Sequence, residues 1–245
     1  MKLITFFILL AFNLLFAQNA YEIVKKSNDN IMGLTSQSIS KMTIIRPDWS
    51  REVEMKTWSK GTKYFLIYIT SPPRDEGQVF LKRDKELWNW MPSIGRMIKL
   101  PPSMMMQSWM GSDFTNDDLL KQSSVVKDYT HKIIGEDKIE GYDCWIIELI
   151  PKPDAPVVWG KIIMHISKKH YLQLKVKFFD ETLELVNTMI GSKIKDVGDR
   201  TLPTRLEMKP ADKPGNKTIF EYSEIKFNIP ISNSFFSKQN MKRIK

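Results

Sequence analysis

Few side chains in this sequence are of a type that does chemistry, and they are widely separated. The chain of 245 residues has three histidines, His131, His165 and His170, and one cysteine, Cys144. A single cysteine excludes an internal disulfide framework, an iron–sulfur cluster and the cysteine-rich zinc sites, because each of these needs several thiolates. Neither a Gly-x-Ser-x-Gly elbow nor a His-Glu-x-x-His motif is present in the sequence. The sequence therefore predicts a protein that is not an enzyme and that holds no metal or cofactor.

One histidine lies close to a candidate nucleophile. His165 lies in a strand-like run two residues before Ser167, and a histidine that activates a serine is the arrangement that hydrolases use. A structural histidine explains the same pattern with fewer assumptions, and we prefer that interpretation. Cys144 also lies in a strand-like run, which favours a buried, unreactive thiol over a disulfide between two molecules.

Three aspartates lie close together between residues 112 and 120. Asp113, Asp117 and Asp118 could form a cation site or an acid–base pair. The same residues also match the start of a helix, in which Thr115 or Ser112 caps the first turn and the helix dipole favours negative charge. No histidine, phosphate-binding loop or nucleophile lies near them in the sequence, so we interpret them as residues that cap the helix and complement its dipole.

The elements that must position these residues are mostly strands. Residues 19–32 carry apolar side chains at helical spacing and are followed by Gly33, which predicts one amphipathic helix. Beyond it, apolar and polar residues alternate between turn signals, which predicts about a dozen strands without the alternating helices of a parallel α/β fold. The predicted strands are residues 38–45, 52–58, 64–70, 78–83, 86–91, 96–100, 125–134, 142–150, 161–167, 172–179, 185–195, 204–209 and 218–228.

Several of these strands have one apolar and one charged face. Val53, Met55 and Thr57 alternate with acidic and basic residues, and residues 172–179 follow the same pattern. Such strands form an antiparallel sheet with one face in water and the other face buried. We therefore predict a mainly β, single-domain protein whose up-and-down sheet curves toward a barrel. Its interior is either filled by side chains or open to an apolar ligand.

The first eighteen residues have the organisation of a secretory signal peptide. Lys2 gives a positive start, residues 3–16 are almost entirely apolar, and Ala17 is a small residue near a plausible cleavage point. The apolar run is too short to span a bilayer as a helix, and no other stretch approaches the required length. We predict a signal peptide at residues 1–18, a mature domain at residues 19–245 and a protein exported across a membrane.

The segment from Trp88 to Leu120 differs from the strands around it. It is rich in methionine and contains Pro101, Pro102 and Gly111. Flexible thioether side chains adapt to irregular apolar partners and recur on promiscuous binding surfaces. We interpret the segment as a flap that faces a ligand, with a plug that fills gaps in an ordinary core as the alternative.

This segment carries a family resemblance. Residues 110–119, with the sequence MGSDFTNDDL, together with residues 88–92 and 95–96, resemble the signature of the outer-membrane lipoprotein-sorting, or LolA-like, family. Weaker matches elsewhere extend the resemblance over essentially the whole mature chain: PRDEGQVFL at residues 73–81, LPTRLEM at residues 202–208 and FSKQNM at residues 236–241. The methionine-rich flap with its double proline departs from the shorter loop expected for the family, so the cargo of the family's namesake is not transferred to this chain.

The resemblance implies an open, strongly curved antiparallel half-barrel with an N-terminal helix and a short lid helix over an apolar cavity. It also implies a periplasmic carrier that shields the acyl chains of lipoproteins or lipids and ferries them toward the outer membrane, without a cofactor or covalent chemistry. Within this hypothesis we assign the cavity wall to Trp58, Phe65, Ile67, Trp88 and Trp90, and the lid to Met104, Met105, Met106, Trp109, Met110 and Phe114.

The partners expected from this hypothesis are an acylated lipoprotein or lipid as cargo, with an inner-membrane transporter and an anionic membrane surface as further candidates. The protein itself is expected to be a monomer. Its net charge of +9 fits either an anionic membrane or an ordinary solvated surface. Nucleic-acid binding is disfavoured by the export signal and by basic residues spread along strand faces. The alternative function is a non-catalytic interaction module or an accessory subunit of an envelope export complex, for which we expect a filled interior.

Overall fold

Thirteen antiparallel strands form one continuous sheet. The structure is a computed structural model that describes residues 20–84, 86–121, 124–155 and 157–245. The predicted signal peptide lies outside these residues. Within the described part of the chain, no helix has both the length and the hydropathy needed to cross a bilayer.

The strands and helices account for most of the described chain. The strands are β1 (Thr35–Ile45), β2 (Ser50–Lys60), β3 (Tyr64–Ser71), β4 (Val79–Arg83), β5 (Glu86–Met91), β6 (Arg96–Lys99), β7 (Tyr129–Ile139), β8 (Tyr142–Pro151), β9 (Lys161–Ser167), β10 (Gln173–Phe179), β11 (Leu185–Val197), β12 (Arg200–Pro210) and β13 (Lys217–Phe227). The α-helices are α1 (Ala20–Met32), α2 (Asn116–Lys121), α3 (Ser124–Lys127) and α4 (Lys238–Met241).

The sheet consists of two meanders. Strands β1 to β6 and strands β7 to β13 each follow sequence order, and the meanders are joined because β1 pairs with β13. Ile45 lies opposite Lys217 in this pairing. Strands β6 and β7 are consecutive in sequence but form the two opposite edges, so the sheet is not closed into a barrel. The chain between them must therefore cross from one edge of the sheet to the other.

Helix α1 packs its apolar side on the second meander. Ile23 and Val24 are buried in one cluster with residues of β7 to β10, among them Ile147 and Ile162. The helix ends at Gly33, whose N–H donates to the Asp29 carbonyl at 3.1 Å. A left-handed backbone is needed there, with φ at 61°, and glycine adopts it without a steric cost.

The predicted fold class is confirmed, and the predicted strands lie within a few residues of the observed ones at all but one place. The strand expected at residues 125–134 is wrong at its start, because α3 occupies Ser124–Lys127 and β7 begins at Tyr129. Valines favour strands, but this segment packs against α1 and Val126 is buried in the same cluster as Val24. Tertiary packing therefore overrides local propensity here.

The region of β3 to β5 is covered on both faces. Residues 64–69, with the sequence YFLIYI, alternate between two separate core clusters, one on each side of the sheet. The cluster on one side is completed by the C-terminal segment, residues 229–245, through the buried Phe236 and Met241. Strands covered on both faces have nearly continuous apolar sequences, which explains why this run lacks alternation.

We predict that Phe236→Ala lowers the free energy of unfolding by about 3–5 kcal/mol, because its fully buried ring would leave a cavity beneath the C-terminal segment. Urea unfolding followed by tryptophan fluorescence measures this change. The control is Gln239→Ala, at an exposed position of the same segment, for which we expect less than about 0.5 kcal/mol. Equal stability of the two variants would mean that the C-terminal segment is not part of the folded core.

Candidate functional site

A cavity of about 250 Å³ lies between the sheet, α1 and the chain that crosses between the sheet edges. Its wall includes residues of both meanders, from Phe65 on β3 to Phe220 on β13, which means that the sheet curves around it. The volume is just below the ~300–1,000 Å³ typical of ligand sites. The lining residues are Asn28, Ile31, Met32, Phe65, Trp109, Phe114, Asp117, Asp118, Val125, Tyr129, Val157, Val158, Trp159, Ile162, Met164, Gln173, Val176, Phe178, Met189, Pro203, Leu206, Met208, Phe220 and Tyr222.

The cavity wall is predominantly apolar and aromatic. The rings of Trp159 and Phe178 pack with their centroids 5.2 Å apart, and those of Phe220 and Tyr222 with their centroids 5.1 Å apart. The Tyr129 hydroxyl donates to the Trp159 carbonyl at 3.2 Å, and burial raises the pKa of Tyr222 to about 12. Both tyrosine hydroxyls are therefore neutral at ordinary pH, and the wall suits hydrocarbon.

The part of the methionine-rich segment that follows β6, residues 100–118, covers one side of this cavity and is called the flap from here on, since the start of the segment belongs to β5 and β6. Trp109 packs edge-on against Phe80 of β4, with ring centroids 5.3 Å apart. Phe114 approaches Phe220 of β13 at 6.5 Å. The flap is internally ordered, since the backbone N–H of Trp109 donates to the Phe114 carbonyl at 2.7 Å. It therefore presents two aromatic rings to the cavity from a defined loop.

A largely buried ion pair anchors the flap to the sheet. Arg46, directly after β1, places Nη1 3.1 Å from Oδ2 of Asp113, and the two side chains are only 14% and 7% exposed. The Thr218 hydroxyl lies 2.6 Å from the same carboxylate oxygen, and Arg46 Nη2 donates to the Gly111 carbonyl at 2.8 Å. The aspartate of the MGSDF run thus holds the flap at the junction of the two meanders.

Helix α2 begins with a reciprocal cap. The Asp118 N–H donates to the Thr115 hydroxyl at 3.1 Å, and the Thr115 N–H donates to Oδ2 of Asp118 at 2.7 Å, which confirms Thr115 as the capping residue. Burial raises the pKa of Asp118 to about 6, although the bonds from Thr115 oppose this rise.

A buried lysine lies near the same helix. Burial lowers the pKa of Lys82 on β4 to about 8, while the charge of Asp117 raises it.

Of the residues predicted for the cavity wall and the lid, some line the cavity, some lie in the neighbouring core and some do neither. Three of them line the cavity: Phe65, Trp109 and Phe114. Two others, Ile67 and Met110, belong to the core cluster that contains Trp109. The consecutive methionines Met104, Met105 and Met106 are not among the lining residues; the first two are half-buried and Met106 is 56% exposed.

Trp58, Trp88 and Trp90 lie on the opposite face of the sheet. All three pack in the cluster that the C-terminal segment completes, and Trp58 contacts Phe235 with ring centroids 5.3 Å apart. Because the strands of this region are apolar on both faces, hydrophobicity alone did not distinguish the face that lines the cavity from the other.

Most of the wall comes from the second meander, where no site residue was predicted. Val176 and Phe178 on β10, Met189 on β11 and Met208 on β12 all line the cavity. Val176 and Phe178 are apolar positions of the alternating run at residues 172–179. The apolar face of such one-sided strands was the signal that could have identified them.

The structure does not bring the histidines into a catalytic arrangement. Nδ1 of His165 lies 3.1 Å from Oδ2 of Asp137, while the Ser167 hydroxyl accepts from the Leu172 N–H at 2.9 Å. Cys144 is a buried free thiol. In the described ranges, no group of three or more histidine, cysteine, aspartate or glutamate residues is placed to hold a metal ion.

We predict a pH-dependent effect of Asp118→Asn. The folded protein keeps the Asp118 proton up to about pH 6, whereas an unfolded aspartate loses it near pH ~4. The native state therefore binds more protons between these values, and the Asp118 contribution to the free energy of unfolding falls as the pH rises through this window.

Removing the titration should make Asp118→Asn more stable relative to wild type at about pH 7 than at about pH 4.5, by on the order of 1 kcal/mol. Urea unfolding at both pH values measures the difference. Asp212→Asn, at an exposed turn position, is the control and should show no such pH dependence. A stability difference between Asp118→Asn and wild type that stays constant with pH would contradict the prediction.

Comparisons with known proteins agree with this architecture. The model of a family described as "-like: Uncharacterized protein" matches residues 61–243. A comparison with curated proteins found no match. Among solved structures, a DUF1329 family protein from Desulfovibrio piger is similar with a TM-score of 0.83 and 21% identity, over 90% of this chain and 97% of that chain.

Two further solved structures share the fold. A domain described as an outer membrane lipoprotein-sorting protein, from Vibrio parahaemolyticus, has a TM-score of 0.81 and 22% identity over 93% of this chain and 100% of its own. A LolA superfamily protein from Nitrosomonas europaea has a TM-score of 0.77 and 22% identity over 90% and 98% of the two chains. The chain therefore belongs to the family whose model spans residues 61–243, and its fold is that of the LolA-like, outer-membrane lipoprotein-sorting proteins.

Proposed function

We propose that the protein is a periplasmic carrier that binds the acyl chains of lipoproteins or lipids in this cavity and ferries them toward the outer membrane. The observation that carries the proposal is the apolar cavity enclosed by the curved sheet, α1 and the flap. The description of the Vibrio parahaemolyticus domain as an outer membrane lipoprotein-sorting protein supports the same function. Residues 1–18 are assigned the role of export signal.

The chemistry of the wall suits hydrocarbon cargo. Burying an acyl chain yields about 0.8 kcal/mol per methylene, so a chain of about 16 carbons offers on the order of 10 kcal/mol before the cost of ordering it. Met164, Met189 and Met208 contribute adaptable thioether side chains to the wall. The described lining residues include neither lysine nor arginine, so the wall is suited to the hydrocarbon rather than to an anionic headgroup.

We assign the flap as the lid that cargo passes during loading and release. Trp109 and Phe114 close the cavity from the flap side. The Arg46–Asp113 pair and the bond from Arg51 Nη2 to the Met110 carbonyl hold the flap on the sheet beside β1 and β2, and we assign loading and release to a movement of the remaining part of the loop. Met104 and Met105 lie half-buried within the same loop and stay lid candidates, whereas the three tryptophans of the opposite face are not assigned to the wall.

The partners in this proposal are an acylated lipoprotein or lipid and, as the donor, an inner-membrane transporter. The protein acts as a monomer without catalysis or cofactor. The alternative, an interaction module of an envelope complex, requires a filled interior, and the cavity of about 250 Å³ favours the carrier.

The test of the proposal is native mass spectrometry, with lipid extraction, on the mature protein purified from its own periplasm without detergent. We expect a stoichiometric acylated species, because the cavity wall favours hydrocarbon over water. A mass without any bound species, combined with no uptake of a fluorescent fatty-acid probe, would overturn the carrier function.

A matched pair of variants locates the binding site. Met189 lines the cavity, and the next residue on β11, Ile190, points to the opposite face because side chains alternate along a strand. We expect Met189→Trp to fill the cavity and to weaken binding of the fatty-acid probe at least ~10-fold, a loss of about 1.4 kcal/mol. Ile190→Trp adds the same bulk outside the cavity and should leave probe binding within about twofold of wild type. Equal effects of the two variants would place the acyl site elsewhere.

A further inference from the structure

The C-terminal segment follows β5 along the outer face of the sheet. The ammonium of Lys238 lies 3.3 Å from the centroid of the Trp88 ring, and that of Lys242 lies 5.3 Å from the Trp90 ring. Lys245 then lines a surface depression together with Pro92, the residue that follows β5. Residues 238–245 therefore run along β5, from Trp88 to the turn between β5 and β6.

The turn itself exposes an apolar side chain. The residues Pro92–Ile94 form a single helical turn between β5 and β6, and the Ile94 side chain is 55% exposed. Arg96, the first residue of β6, is also exposed and lies opposite Met91. The exposed isoleucine thus lies two residues before the exposed Arg96, on the turn whose first residue, Pro92, shares the surface depression with Lys245.

The charge of this surface is strongly positive and little compensated. Lys238, Lys242, Arg243 and Lys245 are all exposed. Within the described part of the chain, none of these four forms an ion pair. The described acidic side chains near this surface are Glu86, which pairs with Lys99 and also interacts with the charge of Lys238, and Glu76 in the depression.

We propose that this surface, the turn at residues 92–96 together with the C-terminal residues 238–245, docks the protein on an anionic phospholipid membrane. Basic side chains near an anionic surface each add to the attraction, and one shallowly inserted apolar residue supplies a second, independent contribution. The proposal goes beyond the carrier function and does not depend on it, because the residues involved lie on the face of the sheet opposite the cavity.

The arrangement of the tryptophans distinguishes this partner from a single-stranded nucleic acid. Binding of that kind uses aromatic faces that are free for bases to stack on. Here Lys238 lies over Trp88 and Lys242 over Trp90, and both rings pack under the C-terminal segment. The cations are therefore exposed and the rings are covered, which suits phosphate groups above the surface.

The test is co-sedimentation of the mature protein with vesicles of phosphatidylglycerol and phosphatidylcholine in equal amounts, compared with pure phosphatidylcholine vesicles. We expect binding to the anionic vesicles alone and its loss at high salt. Arg243→Glu combined with Lys245→Glu should weaken binding at least about 20-fold, since each removed charge is worth roughly fivefold. Ile94→Ser should weaken it further without changing the salt dependence.

The control is Lys195→Glu combined with Lys213→Glu, which makes the same change of charge at exposed positions outside the proposed surface. We expect vesicle binding within about threefold of wild type, since these charges act only at long range. If both double variants lose vesicle binding equally, binding depends only on the net charge of the protein, and the docking surface is wrong. Failure of the wild-type protein to bind anionic vesicles would also overturn the proposal. If the protein binds anionic vesicles but carries no acyl cargo, the carrier function is contradicted and the docking surface is not.

Discussion

The structure depends on one topological constraint: strands that follow one another in sequence, β6 and β7, lie at opposite edges of the same sheet. All other consecutive strands are neighbours, so only this connection has to traverse the side toward which the sheet curves. The flap and α2 lie on its path. A cover over the interior is therefore a result of the strand order. The Arg46–Asp113 pair, together with Thr218, fixes where this connection lies on the sheet.

The two faces of the sheet pack against different parts of the molecule, and what each face contacts differs between the two meanders. On β10 of the second meander, Val176 and Phe178 line the cavity, while Lys175 and Lys177 lie on the other face. Around β3 to β5 both faces are apolar, and each is covered by a different piece of chain: the flap on one side and the C-terminal segment on the other. The C-terminal residues thus belong to the core, and their exposed sides form a surface that is separate from the cavity.

Local pattern was sufficient to predict α1, nearly all of the strands and the mainly β fold class, because period-two alternation and turn residues are local signals. It failed where the information is not local. Trp88 and Trp90 lie in a run that is apolar on both faces, so the sequence does not indicate which face each occupies. Asp113 is a typical helix-start residue by its neighbours, and its partner Arg46 lies far away in the sequence. The wall residues of the second meander were predictable from the apolar face of one-sided strands.

The pairing of β1 with β13 also has a consequence for the order in which the chain folds. Every other strand pair is local, but Ile45 meets Lys217 only when nearly the whole chain is present. Hairpins form faster than contacts between distant segments, so the first meander exists for a time with β1 as an open edge. Unpaired edges are templates for association between molecules. A chain of this topology is therefore most vulnerable to aggregation after its first meander has formed and before β13 pairs with β1.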